Sequence, residues 1–509
     1  MSNNRIEKLF NSPATTLSLS AIAPCLFIWG KNLHMYTWLE LGFCFTLTLI
    51  LSCLFYIIVY LIYKIKLSNR MQKIRNIILC VAITEIFLYF SEIIRQEIFL
   101  EWKIGLVVKI ALFIILLIIV WLKSYKPLNI FLIVFSLISV FTGTINAAED
   151  FFEESSDLKT YKYTLRKTPN IYLYVLESYH DFSTIRQAYN IDTSNLEIFL
   201  NENDFVIYED ALSNSRVTLK SLADLFSMRL DFGKEKGNDD TDRSIRYLIG
   251  GNYRNMVLKN LKENGYYTEY ILRGATYYIL EKGAYLDAED ANLFGLRLLQ
   301  PLVDVNKSFR KLLPRPTTRT NMALDQVIPR FVDEKADIKA PLFVFFFGGA
   351  RHTPAGKGRG RHLWRDSEKW VASGQYQQAV EKSNRELMRV VQHIIKRDPE
   401  SVIILLGDHG SHRLRDLQSP TLTELDNTLN SIGETLESYV KDHCGILMAV
   451  RMLDGRKDIS YGLHMSPVNL FRHIFAALNE SPDFLKDRVP SESKIYGRTL
   501  ARDGKVLRE

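Results

Sequence analysis

The apolar pattern divides the chain in two. Up to residue 147 apolar residues run in long, barely interrupted blocks; from residue 170 they fall in short runs separated by amphipathic stretches. Five long blocks lie at 13–31, 38–62, 76–94, 105–122 and 128–147. Each is close to the ~20 residues that a helix needs to cross a bilayer. Ser18, Ser20 and Pro24 dilute the first, but four stronger blocks follow and no small-residue cleavage site is evident, so it reads as a span rather than a signal peptide. In the second half, runs at 170–176, 204–209, 267–272, 342–348, 402–407 and 445–451 predict strands. Helical periodicity marks 218–229, 252–264, 321–334, 367–397 and 467–478. The last opens on Ser466-Pro467, a good start with Ser as N-cap and Pro in the first turn. Strands alternating with helices predict an α/β sandwich with a mostly parallel sheet.

Charge orients the long blocks. Arg5 and Lys8 precede the first, Lys64, Lys66, Arg70, Lys73 and Arg75 follow the second, and Lys123 and Lys126 follow the fourth. Basic loops of this kind stay cytoplasmic. The segment after the fifth block is acidic, with Glu149, Asp150, Glu153, Glu154 and Asp157. An odd number of spans with the N-terminus inside puts residues 148–509 outside the cytoplasm. The expected organisation is therefore a five-helix transmembrane domain over 1–147, a juxtamembrane linker over 148–169 and an extracytoplasmic domain over 170–509. Glu85 falls mid-span, where an ionisable group is either hydrogen-bonded inside the bundle or functional. Lys109 is placed to snorkel to lipid phosphates. Residues 231–243 are charged and read as a surface loop.

Composition narrows the picture further. A net charge of +7 over 509 residues suits an anionic surface or substrate at most, and gives no reason to expect nucleic acid. Cys25, Cys44, Cys53 and Cys80 lie in the membrane-like half and only Cys444 in the other. The outer domain can therefore form no internal disulfide, and no C-x-x-C pair suggests structural zinc.

The chemistry-bearing residues sit at strand ends. The run Asn170-Ile-Tyr-Leu-Tyr-Val-Leu ends in Glu177-Ser178, and Ser401-Val-Ile-Ile-Leu-Leu-Gly ends in Asp408-His409-Gly410. Between them lies Thr218-Leu-Lys-Ser-Leu-Ala-Asp-Leu-Phe-Ser. Metal-assisted phosphoryl transfer needs a divalent ion, oxygen and nitrogen ligands, and a hydroxyl brought to it deprotonated. One imidazole and two carboxylates suit zinc or manganese. Each piece alone is a weak signal; their order, spacing and strand context together are not.

In that order the pieces resemble the sulfatase and alkaline-phosphatase superfamily, and more narrowly its membrane-anchored branch of lipoteichoic acid synthases and phosphoethanolamine transferases. The missing disulfides resemble the lipoteichoic acid synthase side more, or a separate branch. The resemblance implies one divalent metal ion, zinc or manganese, held by Glu177, Thr218, Asp408 and His409. Thr218 would be the nucleophile at a helix N-terminus, whose free N–H groups favour phosphate, with Ser221 in the matching register. His352, in Gly348-Gly-Ala-Arg-His-Thr-Pro, matches a family His-x-Pro that contacts substrate or protonates the leaving group. Arg359 and Arg361, in a basic glycine-broken loop with Lys357 and Arg365, are candidates to grip a lipid phosphate or an anionic acceptor. Two departures stand out: Ser411 replaces the family's Glu after Asp-His-Gly, with His412 following, and His464 precedes a helix that often starts with Asp. His412 and His464 are accordingly candidate substrate contacts, or second metal ligands.

The implied reaction moves a phosphoglycerol or phosphoethanolamine head group from a phospholipid donor to a glycan or glycolipid acceptor through a phospho-threonine intermediate. The implied location is a bacterial cytoplasmic membrane, with the catalytic domain facing the periplasm or cell exterior. A phosphate or sulfate ester hydrolase would use the same site with water as acceptor. Sulfate esters are disfavoured because the Cys/Ser-x-Pro-Ser-Arg motif of sulfatases proper is absent. A non-catalytic binding protein on this fold would be expected to have lost a ligand, and none is lost.

Overall fold

The structure is a computed structural model. It describes residues 164–230, 254–272, 285–289, 324–335, 338–348, 374–411, 421–453 and 458–507, with scattered residues elsewhere. The chain divides into two compact units, Met1–Leu158 with Leu293–Arg315, and Lys159–Asn292 with Pro316–Glu509. The five expected spans, with Glu85 and Lys109, lie almost wholly outside the described residues, as does the 231–243 segment. Among the described residues no helix is long and apolar enough to cross a membrane. In the first unit Ile130, Val134, Leu137, Ile138 and Phe141 are helical and 45–67% exposed. Their spacing puts them on one helix face.

In the second unit the order is β1 (Ile171–Leu176), α1 (Phe182–Tyr189), α2 (Ser194–Glu202), β2 (Phe205–Ile207), α3 (Thr218–Ser227), α4 (Met256–Glu263), β3 (Tyr267–Leu272) and β4 (Ala288–Glu289). There follow α5 (Leu324–Lys335), β5 (Leu342–Gly348), α6 (Gln375–Arg397), β6 (Val402–Gly407), α7 (Leu422–Ser431), α8 (Leu436–Cys444), β7 (Met448–Arg451) and α9 (Pro467–Leu478). A 3-10 turn (Pro482–Leu485) leads to β8 (Glu492–Ile495), β9 (Arg498–Arg502) and β10 (Lys505–Val506).

Seven strands form one sheet in the order β2-β7-β6-β1-β5-β3-β4. β6, β1, β5, β3 and β4 are mutually parallel, and β7 runs antiparallel to both its neighbours. The sheet is therefore mostly parallel, as the alternation of strands and helices predicts. β1 is buried at every position, which is why it reads as an unbroken apolar run rather than an alternating one.

Side chains alternate across the sheet. On one face Tyr172, Tyr174, Val344 and Phe346 meet Phe182 and Ile185 of α1, Leu200 of α2, Ile328 and Phe331 of α5, and Leu387 and Val391 of α6. On the other, Phe226 of α3 packs edge-on against Phe345 at 5.4 Å, and Phe471 of α9 meets Phe343 at 6.0 Å. Each such fully buried phenylalanine stabilises the fold by about 1.5–3 kcal/mol. The result is an α/β/α sandwich.

Two details fix α3, the helix that begins with Thr218. Its last residue hands over to Met228, which is left-handed at φ 56°. The buried guanidinium of Arg472, on α9, donates from Nη2 to the Met228 carbonyl at 2.6 Å. A cation at a helix carbonyl end also suits the helix dipole. The start of α9 is as expected in position but not in its partner. Ser466 Oγ pairs with Ser491 Oγ at 2.7 Å, and the cap is Asn214 Oδ1, which accepts from the Val468 N–H at 3.0 Å.

Strand β7 is shorter than the 445–451 run. Gly445 still caps α8, and the Ile446 N–H goes to the Ala211 carbonyl. Cys444 is free, fully buried, and its thiol is pushed up to about 12 by burial. It therefore offers no handle to an external thiol reagent while the domain is folded.

Candidate functional site

The sheet register assembles the rim. Leu176, the last residue of β1, is paired with Gly348 of β5 on one side and Gly407 of β6 on the other. Glu177 and Asp408 are thus the first residues beyond two adjacent parallel strands, at the carboxyl edge where α/β sheets place their ligands. The chain leaves β5 at the same edge toward His352. His352, Arg359, Arg361 and His412 lie outside the described residues.

The turn after β6 is held by its neighbours' backbones. Asp408 N–H donates to Leu176 O, Gly410 N–H to His443 O at 2.9 Å, and Gly407 N–H to Leu447 O at 2.7 Å. The Asp408 carboxylate works in return: its Oδ1 accepts from Ser178 N–H at 2.7 Å and from His409 N–H at 2.8 Å. Ser178 takes a left-handed conformation, φ 57°, to make that contact, a conformation that costs a non-glycine residue energy. The glycine of Asp-His-Gly has a local reason too. A Cβ on Gly410 would lie 2.1 Å from the Asp442 carbonyl oxygen and 2.7 Å from the His180 ring.

His409 is fully buried. Its Nδ1 lies 2.7 Å from Gly410 O. A carbonyl only accepts, so Nδ1 carries the proton and Nε2 presents its lone pair. Burial pushes the ring's pKa down to about 4; the Gly410 bond opposes this, while His180, Arg216 and His443 add to it. The ring is neutral at pH 7. Opposite Nε2, at 3.0 Å, sits Thr218 Oγ1. Thr218 is half-buried in the first turn of α3, where the N-cap Val217 makes no side-chain capping bond. The positive end of the helix is therefore presented beside the hydroxyl.

Whether these residues suit a divalent ion can be judged from their donor atoms. Asp408 Oδ2 is 3.4 Å from His409 Nε2. With Nδ1 protonated, a lone pair and a carboxylate oxygen face each other in a buried place, and the Thr218 hydroxyl lies alongside. Two acceptors at that range repel, whereas a cation shared by them is stabilised. An imidazole nitrogen with carboxylate and hydroxyl oxygens suits zinc or manganese. The donor set fits the ion. Among the described residues no group of three or more His, Cys, Asp or Glu side chains is placed to hold a metal. Asp408 and His409 are two such groups, and the third donor atom at close range is the hydroxyl oxygen of Thr218.

The remaining sequence candidates are scattered. Ser221 is buried one turn along α3, its N–H bonded to Val217 O at 2.9 Å. His464 is half-buried with its ring against Gly504, and burial lowers its pKa while Asp503 and Asp210 raise it. None of its described contacts is to Thr218, Asp408 or His409.

Sequence reasoning missed two neighbours of the site. Arg216 stacks its guanidinium 3.9 Å from the Tyr496 ring centroid, and its charge reaches His409. Arg216 stands two residues before Thr218 in the chain. The other is His180, three residues after Glu177, and no local pattern marked it.

No family model matches the chain, and no curated protein sequence is significantly similar to it. Solved structures are similar to it at low identity. One is the C-terminal periplasmic domain of EcEptC from Escherichia coli in a complex with Zn, at 12% identity, covering 64% of this chain and 84% of that one, with a TM-score of 0.37. Another is the C-terminal periplasmic domain of the phosphoethanolamine transferase EptC from Campylobacter jejuni, at 11% identity, 61% and 89% coverage and a TM-score of 0.37. A third is a protein in the alkaline phosphatase superfamily from Vibrio parahaemolyticus, at 13% identity, 66% and 74% coverage and a TM-score of 0.39. All three TM-scores lie below one half, so the chemistry of the site rests on its own geometry.

Proposed function

We propose that this chain is a membrane-anchored, metal-dependent phosphotransferase that moves a phosphoglycerol or phosphoethanolamine head group from a phospholipid to a cell-envelope glycan or glycolipid. The observation that carries the reading is the meeting of Thr218 Oγ1, His409 Nε2 and Asp408 Oδ2 at one sheet rim. Asp408, His409 and Thr218 would hold one zinc or manganese ion, and Glu177, at the neighbouring strand end, would have to move to join them, since among the described residues no three carboxylate or imidazole groups are placed together. When bound, such an ion lowers the pKa of a coordinated hydroxyl and offsets charge on the phosphoryl oxygens.

The chain's own groups supply the rest. Thr218 Oγ1 loses its hydroxyl proton to solvent and forms a bond to phosphorus while the bond from phosphorus to the diacylglycerol oxygen breaks. Diacylglycerol leaves with a proton, for which His352 is the candidate donor. The acceptor hydroxyl then bonds to phosphorus and gives its proton to His352, left deprotonated by the first step, while the bond from Thr218 Oγ1 to phosphorus breaks. The helix N-terminus behind Thr218 favours the anionic group in both steps. A membrane anchor over 1–147 keeps the site beside a lipid donor. The exposed apolar helix face of Ile130, Val134, Leu137, Ile138 and Phe141 suits contact with acyl chains.

The test is mass spectrometry of the purified full chain after incubation with phospholipids of defined head group. A head-group phosphate mass added on Thr218 supports the reading and names the donor. Release of free head-group phosphate alone, unchanged by any envelope glycan, assigns a hydrolase instead. A protease-cleavable tag near residue 155 tests the orientation, since accessibility only from the cytoplasm contradicts it.

A further inference from the structure

A second polar cluster lies behind the Asp408–His409 turn, and the reaction proposed above does not use it. At its centre is His180, fully buried, at the end of the Glu177-Ser178-Tyr179-His180 turn. Its Nδ1 is 3.0 Å from Gly445 O, between α8 and β7. That carbonyl can only accept, so Nδ1 carries a proton and Nε2 is an acceptor. Nε2 takes the backbone N–H of Ser411 at 2.8 Å. One ring therefore ties three chain segments together: the turn after β1, the turn after β6, and the approach to β7.

The surroundings reinforce this tautomer. Ser411 Oγ is 3.0 Å from Nε2 and is also bonded to Tyr189 OH. Tyr189 OH donates to Asp442 Oδ1 at 3.2 Å, and Asp442 Oδ2 accepts from Leu414 N–H at 2.8 Å. Tyr189 and Tyr376 pack on the imidazole, with centroids at 5.5 and 6.4 Å. Burial favours the neutral ring, lowering its pKa, while Asp442 and Asp181 oppose this. Ser411, which stands where the resembled family has Glu, thus has its side chain committed to this inner network.

We propose that His180 is a positioning residue that fixes the Asp408–Ser411 turn, and through it the aim of His409 Nε2 and Asp408 Oδ2, without touching the reacting atoms. The proposal rests on the reading of Thr218, Asp408 and His409 as the working site. Buried imidazoles and carboxylates that orient ligating side chains typically change metal affinity by about 10–100-fold when removed.

The experiment compares wild type, His180→Gln and His180→Leu in the full detergent-solubilised chain. Glutamine keeps one donor and one acceptor and can serve both Gly445 O and Ser411 N–H; leucine keeps neither. Zinc and manganese are titrated separately into metal-free protein, and hydrogen exchange is followed in the peptide spanning Asp408–Ser411. With His180→Leu we expect metal affinity to fall about 10–100-fold, kcat to fall with KM for phospholipid unchanged, and exchange to rise in that peptide alone. His180→Gln should recover most of each. Wild-type affinity and exchange in His180→Leu would overturn the proposal, as would equal impairment of both variants with a general loss of protection across the sheet. If the wild type binds neither metal, the phosphotransferase reading falls, and the exchange arm still decides whether His180 holds the turn.

Discussion

Thr218 Oγ1 lies 3.0 Å from His409 Nε2, although the two residues are 191 positions apart in the chain. The pairing depends on two separate pieces of architecture. β6 delivers His409 to the sheet rim, and α3 delivers Thr218 with its amide end toward the same point. Because the imidazole is neutral and its Nδ1 proton is committed to Gly410 O, the hydroxyl proton is directed at Nε2 in the metal-free chain; a bound ion would take that lone pair instead.

From this we expect Thr218→Ala to abolish head-group release and Thr218→Ser to retain part of it, since the hydroxyl survives. His409→Ala should lower turnover by about 10²–10⁴-fold, the usual range for a lost acid–base or charge-stabilising contact. Initial rates of diacylglycerol formation from a fluorescent-head-group phospholipid measure both. Full activity in Thr218→Ala would remove the nucleophile assignment.

Carboxylate variants test the ion separately from turnover. Glu177→Ala and Asp408→Ala should each strip zinc or manganese from purified protein, as read by elemental analysis, while circular dichroism shows the domain folded. The two should differ in stability. Asp408 Oδ1 accepts two backbone N–H groups, and leaving such groups unpaired in a buried place costs about 1–3 kcal/mol each. Asp408→Asn, which keeps an acceptor oxygen, should recover stability but not metal. Unchanged metal occupancy in both alanine variants would show that the ion, if any, is held elsewhere.

Arg216 supplies a third test. It stands two residues before Thr218, its charge reaches His409, and Tyr496 holds its guanidinium at stacking distance. An anionic phosphodiester reaching Thr218 would pass close to it, and the planar guanidinium suits phosphate oxygens. Arg216→Ala should raise KM for phospholipid about tenfold or more with a smaller change in kcat. Tyr496→Leu should have a milder effect, since an exposed cation–π contact is worth about 0.5–1 kcal/mol, a few-fold in affinity. A pure loss of kcat in Arg216→Ala would instead place the arginine in the transition state.

The sheet was legible because its central strands are buried on both faces and therefore appear as unbroken apolar runs. The expected 342–348 and 402–407 strands match β5 and β6 to the residue. Glu177, Asp408 and His409 were legible for the same reason, as polar residues that end such runs. What the pattern does not carry is long-range polar geometry. His180 follows a strand by four residues, and its partners Ser411 and Gly445 are 231 and 265 positions away. Asn214 caps α9 from 254 positions away, so the local Ser466 looked like the cap. Helices α1, α2, α7 and α8 are short and carry mixed polar and apolar faces, and strands β8–β10, which form a separate three-stranded sheet, are half exposed; neither leaves a strong periodic trace.

Acid stability provides the last expectation. His473, on α9, is fully buried and bonded through Nδ1 to Ile459 O at 3.1 Å. Burial pushes its pKa down to about 4; the Ile459 bond and Asp458 oppose this, and Arg488 and Arg472 assist it. In the unfolded chain the ring titrates near its ordinary value of about 6.5. Between the two values the unfolded state binds the proton and the folded state does not, so stability rises with pH across that window. The contribution is therefore complete above pH ~6.5, falls as the pH drops, and is lost by pH ~4, amounting to roughly 3 kcal/mol at full extent. His473→Asn keeps a donor near the Nδ1 position and cannot titrate. Urea denaturation of the metal-free chain should show a clear loss of stability from pH 7 to pH 4.5 in wild type and a visibly smaller one in His473→Asn. His409 and His180 shift in the same direction, so the variant should flatten the slope without removing it. Parallel pH profiles for the two proteins would show that His473 is not a source of the acid sensitivity.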